Sequence, residues 1–110
     1  MLWANPAPLN TFPSQTISLN LSNYDAIIIT AKGINTATNG TVRRSVHSKG
    51  ITSIYEVYPS SDIADSPSQG WYSHVTVLDS GVTFKPSNDN GCIPLTIHGI
   101  KFDDFANANF

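Results

Sequence analysis

Residues 15–30 read QTISLNLSNYDAIIIT, and this stretch decides the fold class. Ile17, Leu19 and Leu21 alternate with Ser18 and Asn20, the period of two that buries one face of a strand. Ala26 to Ile29 then run apolar without a break, as a strand covered on both faces requires. Ser22-Asn23-Tyr24-Asp25 between them is turn chemistry. An outer strand over residues 16–21 leading into a central strand over 26–32 is therefore expected.

Working outward, the same reading recurs. Residues 41–47 place Val42, Arg44 and Val46 on one face against Arg43, Ser45 and His47, after a polar loop ending in Asn39-Gly40. Residues 51–58 (ITSIYEVY) are rich in β-branched and aromatic side chains. Residues 71–78 and 82–85 flank Asp79-Ser80-Gly81, which reads as a hairpin with the glycine in the left-handed position. A last strand spans 92–102, and Pro94 places its start at an edge or a bulge. The polar stretch 59–70 reads as an ordered surface loop. Seven or eight short strands at this spacing predict an all-β antiparallel sandwich with jelly-roll character. Its expected core is Ile17, Leu19, Ile27, Ile29, Ile54, Val75, Val77, Phe84, Leu95 and Ile97.

Two aromatic ends flank this body. Residues 1–14 carry Pro6, Pro8 and Pro13 around Trp3 and Phe12, which predicts an extended arm with few ladder bonds, anchored by its rings. Residues 103–110 break the alternation but keep Phe105 and Phe110 close to Phe102, so this tail is expected to dock. Trp3, Phe12, Phe102, Phe105 and Phe110 are thus candidate subunit-interface residues, at least one end packing on a neighbouring copy.

Composition narrows the function classes. Charged residues make up 13% of the 110, while 13 Ser, 10 Thr and 10 Asn supply a neutral, hydroxyl- and amide-rich exterior. A net charge of −2 with six Lys and Arg offers no footprint for nucleic acid. Arg43-Arg44 is the one basic pair, suited to a solvated face or to an acidic partner. Cys92 is alone, so no intrachain disulfide forms, and its apolar setting CIPLTI reads as a buried small hydrophobe. No stretch reaches the length of a membrane span, and the opening MLWANPAP lacks the pattern of a signal peptide, so a soluble chain, not conventionally secreted, is expected.

Catalytic chemistry finds no pattern. His47, His74 and His98 accompany many serines, but no G-x-S-x-G elbow is present. Glu56, Asp62, Asp65 and Asp79 could be drawn as carboxylate pairs without any spacing to support it. No H-x-H or HExxH spacing marks a metal site, and Asp62-x-x-Asp65 lacks the further ligands of a calcium loop. Neither a metal nor a cofactor is expected, and the histidines read as surface or cross-strand hydrogen-bonding groups. Glycan binding has more support. Trp71, Tyr72 and Tyr58, with Tyr55, adjoin polar loops, where Asp62, Ser66 and Gln69 could orient a sugar stacked on the rings, unless the aromatics belong to the core.

Two blocks carry a resemblance. Leu2-Trp3, Asn5-Pro6, Pro8, Phe12, Gln15-Thr16-Ile17, Leu19, Leu21-Ser22 and Tyr24-Asp25 form the first. His74-Val75-Thr76-Val77, Gly81-Val82-Thr83-Phe84, Cys92-Ile93-Pro94-Leu95, Ile97 and Gly99-Ile100-Lys101 form the second. Together the blocks, spanning residues 2–101, resemble a module recurrent in tail-associated and minor structural proteins of Firmicutes bacteriophages and prophages. The resemblance implies a non-enzymatic virion protein, assembled in the bacterial host cytoplasm, with other virion proteins as partners and a homo-oligomer, first a trimer. It implies a tail-tip or fibre module contributing to assembly and host attachment, with a host surface glycan as a candidate partner; a capsid decoration or head-fibre protein and a carbohydrate-binding module are the alternatives. The final residues, 102–110, depart from the pattern.

Overall fold

The structure, a computed structural model, describes residues 1–33, 42–57, 71–86 and 92–103, with the side chain of Trp71 outside the description. Eight strands are described: β1 (Trp3–Ala4), β2 (Gln15–Ser18), β3 (Ala26–Gly33), β4 (Val42–Ser48), β5 (Thr52–Val57), β6 (Trp71–Leu78), β7 (Gly81–Pro86) and β8 (Cys92–Ile100). They form two four-stranded sheets, ordered β1-β8-β3-β4 and β2-β7-β6-β5, with every pairing antiparallel. The expected all-β sandwich is what the chain forms. Its jelly-roll character lies in the ends, where the first two strands pair with the last two.

The core between the sheets holds Ile27, Ile29, Val57, Val75, Val77, Val82, Phe84, Ile93 and Ile97, all inaccessible to solvent, with Leu21 beneath the β2–β3 connection. From Ile27 along β3 and from Tyr72 along β6, inward residues alternate with polar or half-buried ones, so burial follows the strand period, whereas Cys92, Ile93 and Pro94 at the start of β8 are buried in a row. Leaving one of the large members exposed would forgo roughly 1.5 to 3 kcal/mol each.

Three expectations about the core need correction. Ile54 is half exposed, because Tyr55 and Val57 of β5 point inward and parity then sends Ile54 and Glu56 out. Leu95 is only partly covered, because the pairing of β3 with β8 slips beside it. Thr30 pairs with Thr96 but Ala31 with Pro94, which makes Leu95 the extra residue of a bulge next to the proline. Ile17 and Leu19 lie partly buried against the core, on an edge strand that ends at Ser18, not at Leu21.

The N-terminal arm is also less free than its prolines suggest. Trp3 and Ala4 pair with Ile97 and Thr96, and Asn5 satisfies the bulge: its backbone N–H donates to Leu95 O (2.9 Å) and its amide Nδ2 to Pro94 O (2.9 Å). Prolines begin only after these donors have been used.

The β6–β7 hairpin turns through Asp79-Ser80 alone, with Gly81 already paired to Leu78. Gly81 has φ +155°, and a Cβ there would strike the carbonyl oxygen of Ile17 on β2. Glycine is needed here for that close approach, not to close the turn. The last strand stops at Ile100, two residues short of expectation, where Asp25 accepts from the Phe102 N–H (2.8 Å).

Candidate functional site

The two sheets are open along the flank where β4 and β5 run as edge strands, joined through Lys49, Gly50 and Ile51. Parity on β4 puts Val42, Arg44 and Val46 outside and turns Ser45 and His47 inward, so the apolar side chains are the exposed ones. His47 is 1% exposed. Its Nε2 lies 2.6 Å from Ser45 Oγ on its own strand, and its Nδ1 lies 2.6 Å from Ser53 Oγ on β5. One imidazole therefore ties the edge of one sheet to the edge of the other.

The ring of this tie is packed against the aromatic core. The His47 ring meets Tyr55 edge to face at 5.8 Å, and Tyr55 meets Phe84 at 6.3 Å. Burial holds His47 down at about 4, against an ordinary 6.5. The Tyr55 phenol is pushed up, chiefly by burial, and its hydroxyl sits beside Ser73 and Cys92 without a well-formed hydrogen bond. Ser73 spends its own proton on His74 O (3.0 Å). Burial pushes the Cys92 thiol up to about 12, so it is a packed hydrophobe and not a nucleophile.

Ser45, His47 and Ser53 have the connectivity of nucleophile, base and orienting group, but not the electrostatics. A base with a pKa near 4 takes a serine proton poorly at neutral pH, and a hydroxyl in place of a carboxylate gives the imidazolium no counter-charge. The arrangement is suited to holding two strands together. Outside it, Arg43, Arg44, Ser45, Ile54, Tyr55 and Glu56 line an open groove of about 590 Å³.

The expected glycan residues are only partly placed. Tyr72 is 44% exposed on the outer face of β6, its ring 5.8 Å from the exposed His74, with half-exposed Ile54 opposite His74 on β5. Trp71 belongs to β6 by its backbone, while Tyr58, Asp62, Ser66 and Gln69 lie outside the described residues. Tyr55 is core. Of the expected interface residues, Phe12 is corrected: it is 6% exposed and packs edge to face on Phe84 (5.1 Å), so it is committed to the chain's own core. Trp3 packs on Phe12 at 6.0 Å and is partly buried. Phe102 is 51% exposed; Phe105 and Phe110 lie outside the described residues.

Sequence reasoning missed the Ser45, His47 and Ser53 tie. The signal was present as S-x-H on one strand face with a serine on the same side of the next strand, across the short Lys49–Gly50–Ile51 turn. Among the described residues no group of three or more potential metal ligands comes together. A scan against protein-family models, a search of curated proteins and a search of solved structures each return no match for this chain.

Proposed function

We propose that this chain is a non-enzymatic structural module of a bacteriophage particle, of the tail-tip or fibre type, contributing to assembly and host attachment. The observation that carries the reading is the spatial union of the two resembling blocks. Residues 2–25 supply β1 and β2, and residues 74–101 supply most of β6 with β7 and β8. They meet at Trp3 with Ile97, Ile17 with Val82, Phe12 against Phe84, Asn5 on Pro94 and Leu95, and Asp25 N–H on Ile100 O (2.8 Å). The residues that resemble the phage module thus form one contiguous half of the sandwich, as a shared structural unit would.

Host attachment rests on the exposed side chains. Tyr72, His74 and Ile54 form an aromatic and apolar patch on one sheet, and Phe102 offers a ring for a neighbouring copy. The neutral interior of the His47 tie supports a scaffold without catalysis. The test is to raise an antibody against the purified chain and locate it on intact particles by electron microscopy, with mass spectrometry of the same particles. Labelling at the tail end supports the reading, and absence of the chain from purified particles overturns it.

A further inference from the structure

The four strands of the β1-β8-β3-β4 sheet contain no aspartate or glutamate, yet they carry Lys32, Arg43 and Arg44. In a chain of net charge −2 this sheet is the positive one. Two of those cations, Lys32 and Arg44, stand on its outer face, by parity with Ile28 and Thr30. A groove of about 510 Å³ crosses that face, lined by Ile28, Thr30, Arg44, Thr96, His98 and Gly99.

Register explains the grouping. Thr30 pairs with Arg44 on one side and Thr96 on the other, so a guanidinium and two hydroxyls form one row across three strands. Ile28 pairs with His98 in the adjoining row. Adjacent strands lie about 4.8 Å apart, so the row spans roughly 10 Å. None of the Thr30, Arg44, Thr96 and His98 side chains has a hydrogen-bond or ion-pair partner among the described residues.

We infer that this groove binds a saccharide bearing an anionic group, a carboxylate or a phosphate. A planar guanidinium takes either group through two parallel N–H donors. Thr30, Thr96 and the His98 imidazole offer donors and acceptors to sugar hydroxyls. Ile28 gives an apolar contact for a ring's C–H face. A bare inorganic anion would leave most of the groove empty, since the volume falls in the range of small-molecule sites. The inference deepens host attachment as proposed above and rests on that reading for its setting, while its chemistry stands on this face alone.

Isothermal titration of the full chain with three probes tests it: an oligogalacturonate, a mannose 6-phosphate oligosaccharide and a neutral maltooligosaccharide. The expected result is binding of one or both anionic probes, weakened by added salt, with at least ten-fold weaker binding of the neutral one. The two anionic arms tell carboxylate from phosphate. Arg44→Gln should reduce affinity about ten-fold or more and Thr96→Val several-fold, whereas Lys85→Gln on the opposite sheet, an equal change in net charge, should leave it unaltered. Circular dichroism of each variant confirms the fold, and Arg44 is exposed enough for its loss to be tolerated. No binding of either anionic probe at millimolar concentration, equal binding of the neutral one, or equal losses from Arg44→Gln and Lys85→Gln would each overturn the inference. Because these measurements use the isolated chain, their failure leaves the particle labelling result standing, and the reverse holds too.

Discussion

Acidification should unfasten the flank tied by His47 before the rest of the sandwich fails. The imidazole titrates at about 4 in the folded chain and at its ordinary 6.5 when unfolded. The unfolded chain therefore takes up the proton first, so this group's stability is fully present above the ordinary value and is lost as pH falls from there towards 4. The full span amounts to about 3 kcal/mol, of which about 2 kcal/mol is gone by about pH 5. That is a large share of the 5 to 15 kcal/mol typical of a domain. Urea titrations followed by tryptophan fluorescence between about pH 7.5 and about pH 5 measure it directly, compared with His47→Gln. The variant loses stability at neutral pH, because the hydroxyls of Ser45 and Ser53 lose a partner, but its pH curve should be flatter than the parent's by the same ~2 kcal/mol. Nitrogen shifts of the His47 ring supply an independent reading. A His47 ring that protonates near 6.5, or a variant with the parent's pH slope, would refute the reasoning.

Phe84→Ala should cost about 3 to 5 kcal/mol in the same urea assay, because the ring is fully enclosed and supports both Phe12 and Tyr55. Tyr55→Phe removes a buried hydroxyl that has no hydrogen-bond partner, so stability should hold or rise by about 1 kcal/mol. Gly81→Ala should lower stability by roughly 1 to 3 kcal/mol, since φ is +155° and the new methyl meets the Ile17 carbonyl; thermal melts of the two proteins decide it. Deleting residues 103–110 should leave the far-ultraviolet circular dichroism of the sandwich unchanged while weakening self-association in light scattering at micromolar concentration; a full-length chain that scatters strictly as a monomer would remove the assembly role of Phe102 and the tail.

Much of the fold was legible because burial here follows the strand period closely. The run 26–29 marked the central β3, and the alternation in residues 74–78 marked the inward Val75 and Val77. Pro94 announced the bulge. Parity failed where both faces of a strand carry apolar residues: in residues 51–57, Ile51, Ile54, Tyr55 and Val57 fit either face, and pairing with β6 decides between them. On β4 the choice ran against hydropathy, because the imidazole finds two hydroxyl partners inside while Val42 and Val46 stay out. Candidate sites were less legible still. Thr30, Arg44, Thr96 and His98 come from three strands and acquire their grouping only from register, whereas Tyr72 could be read directly from its place in an aromatic strand.

The way the amino-terminal strands are partnered has a consequence for how the chain is made. Asn5 holds carbonyl groups of a bulge 89 residues further on, and β1 and β2 pair with β8 and β7, which leave the ribosome much later than they do. Residues 3–18 must therefore wait, with Trp3 and Phe12 uncovered, until the strands over 81–100 have emerged. Only the β3–β4 and β5–β6–β7 ladders join strands adjacent in sequence, so they can form while synthesis continues. Closure by β1 and β2 comes last, and such distant pairing places folding in the slow, millisecond-to-second class of all-β domains. During that interval the nascent chain presents bare sheet edges, which makes crowding of many copies during production the moment at which misassembly competes with folding.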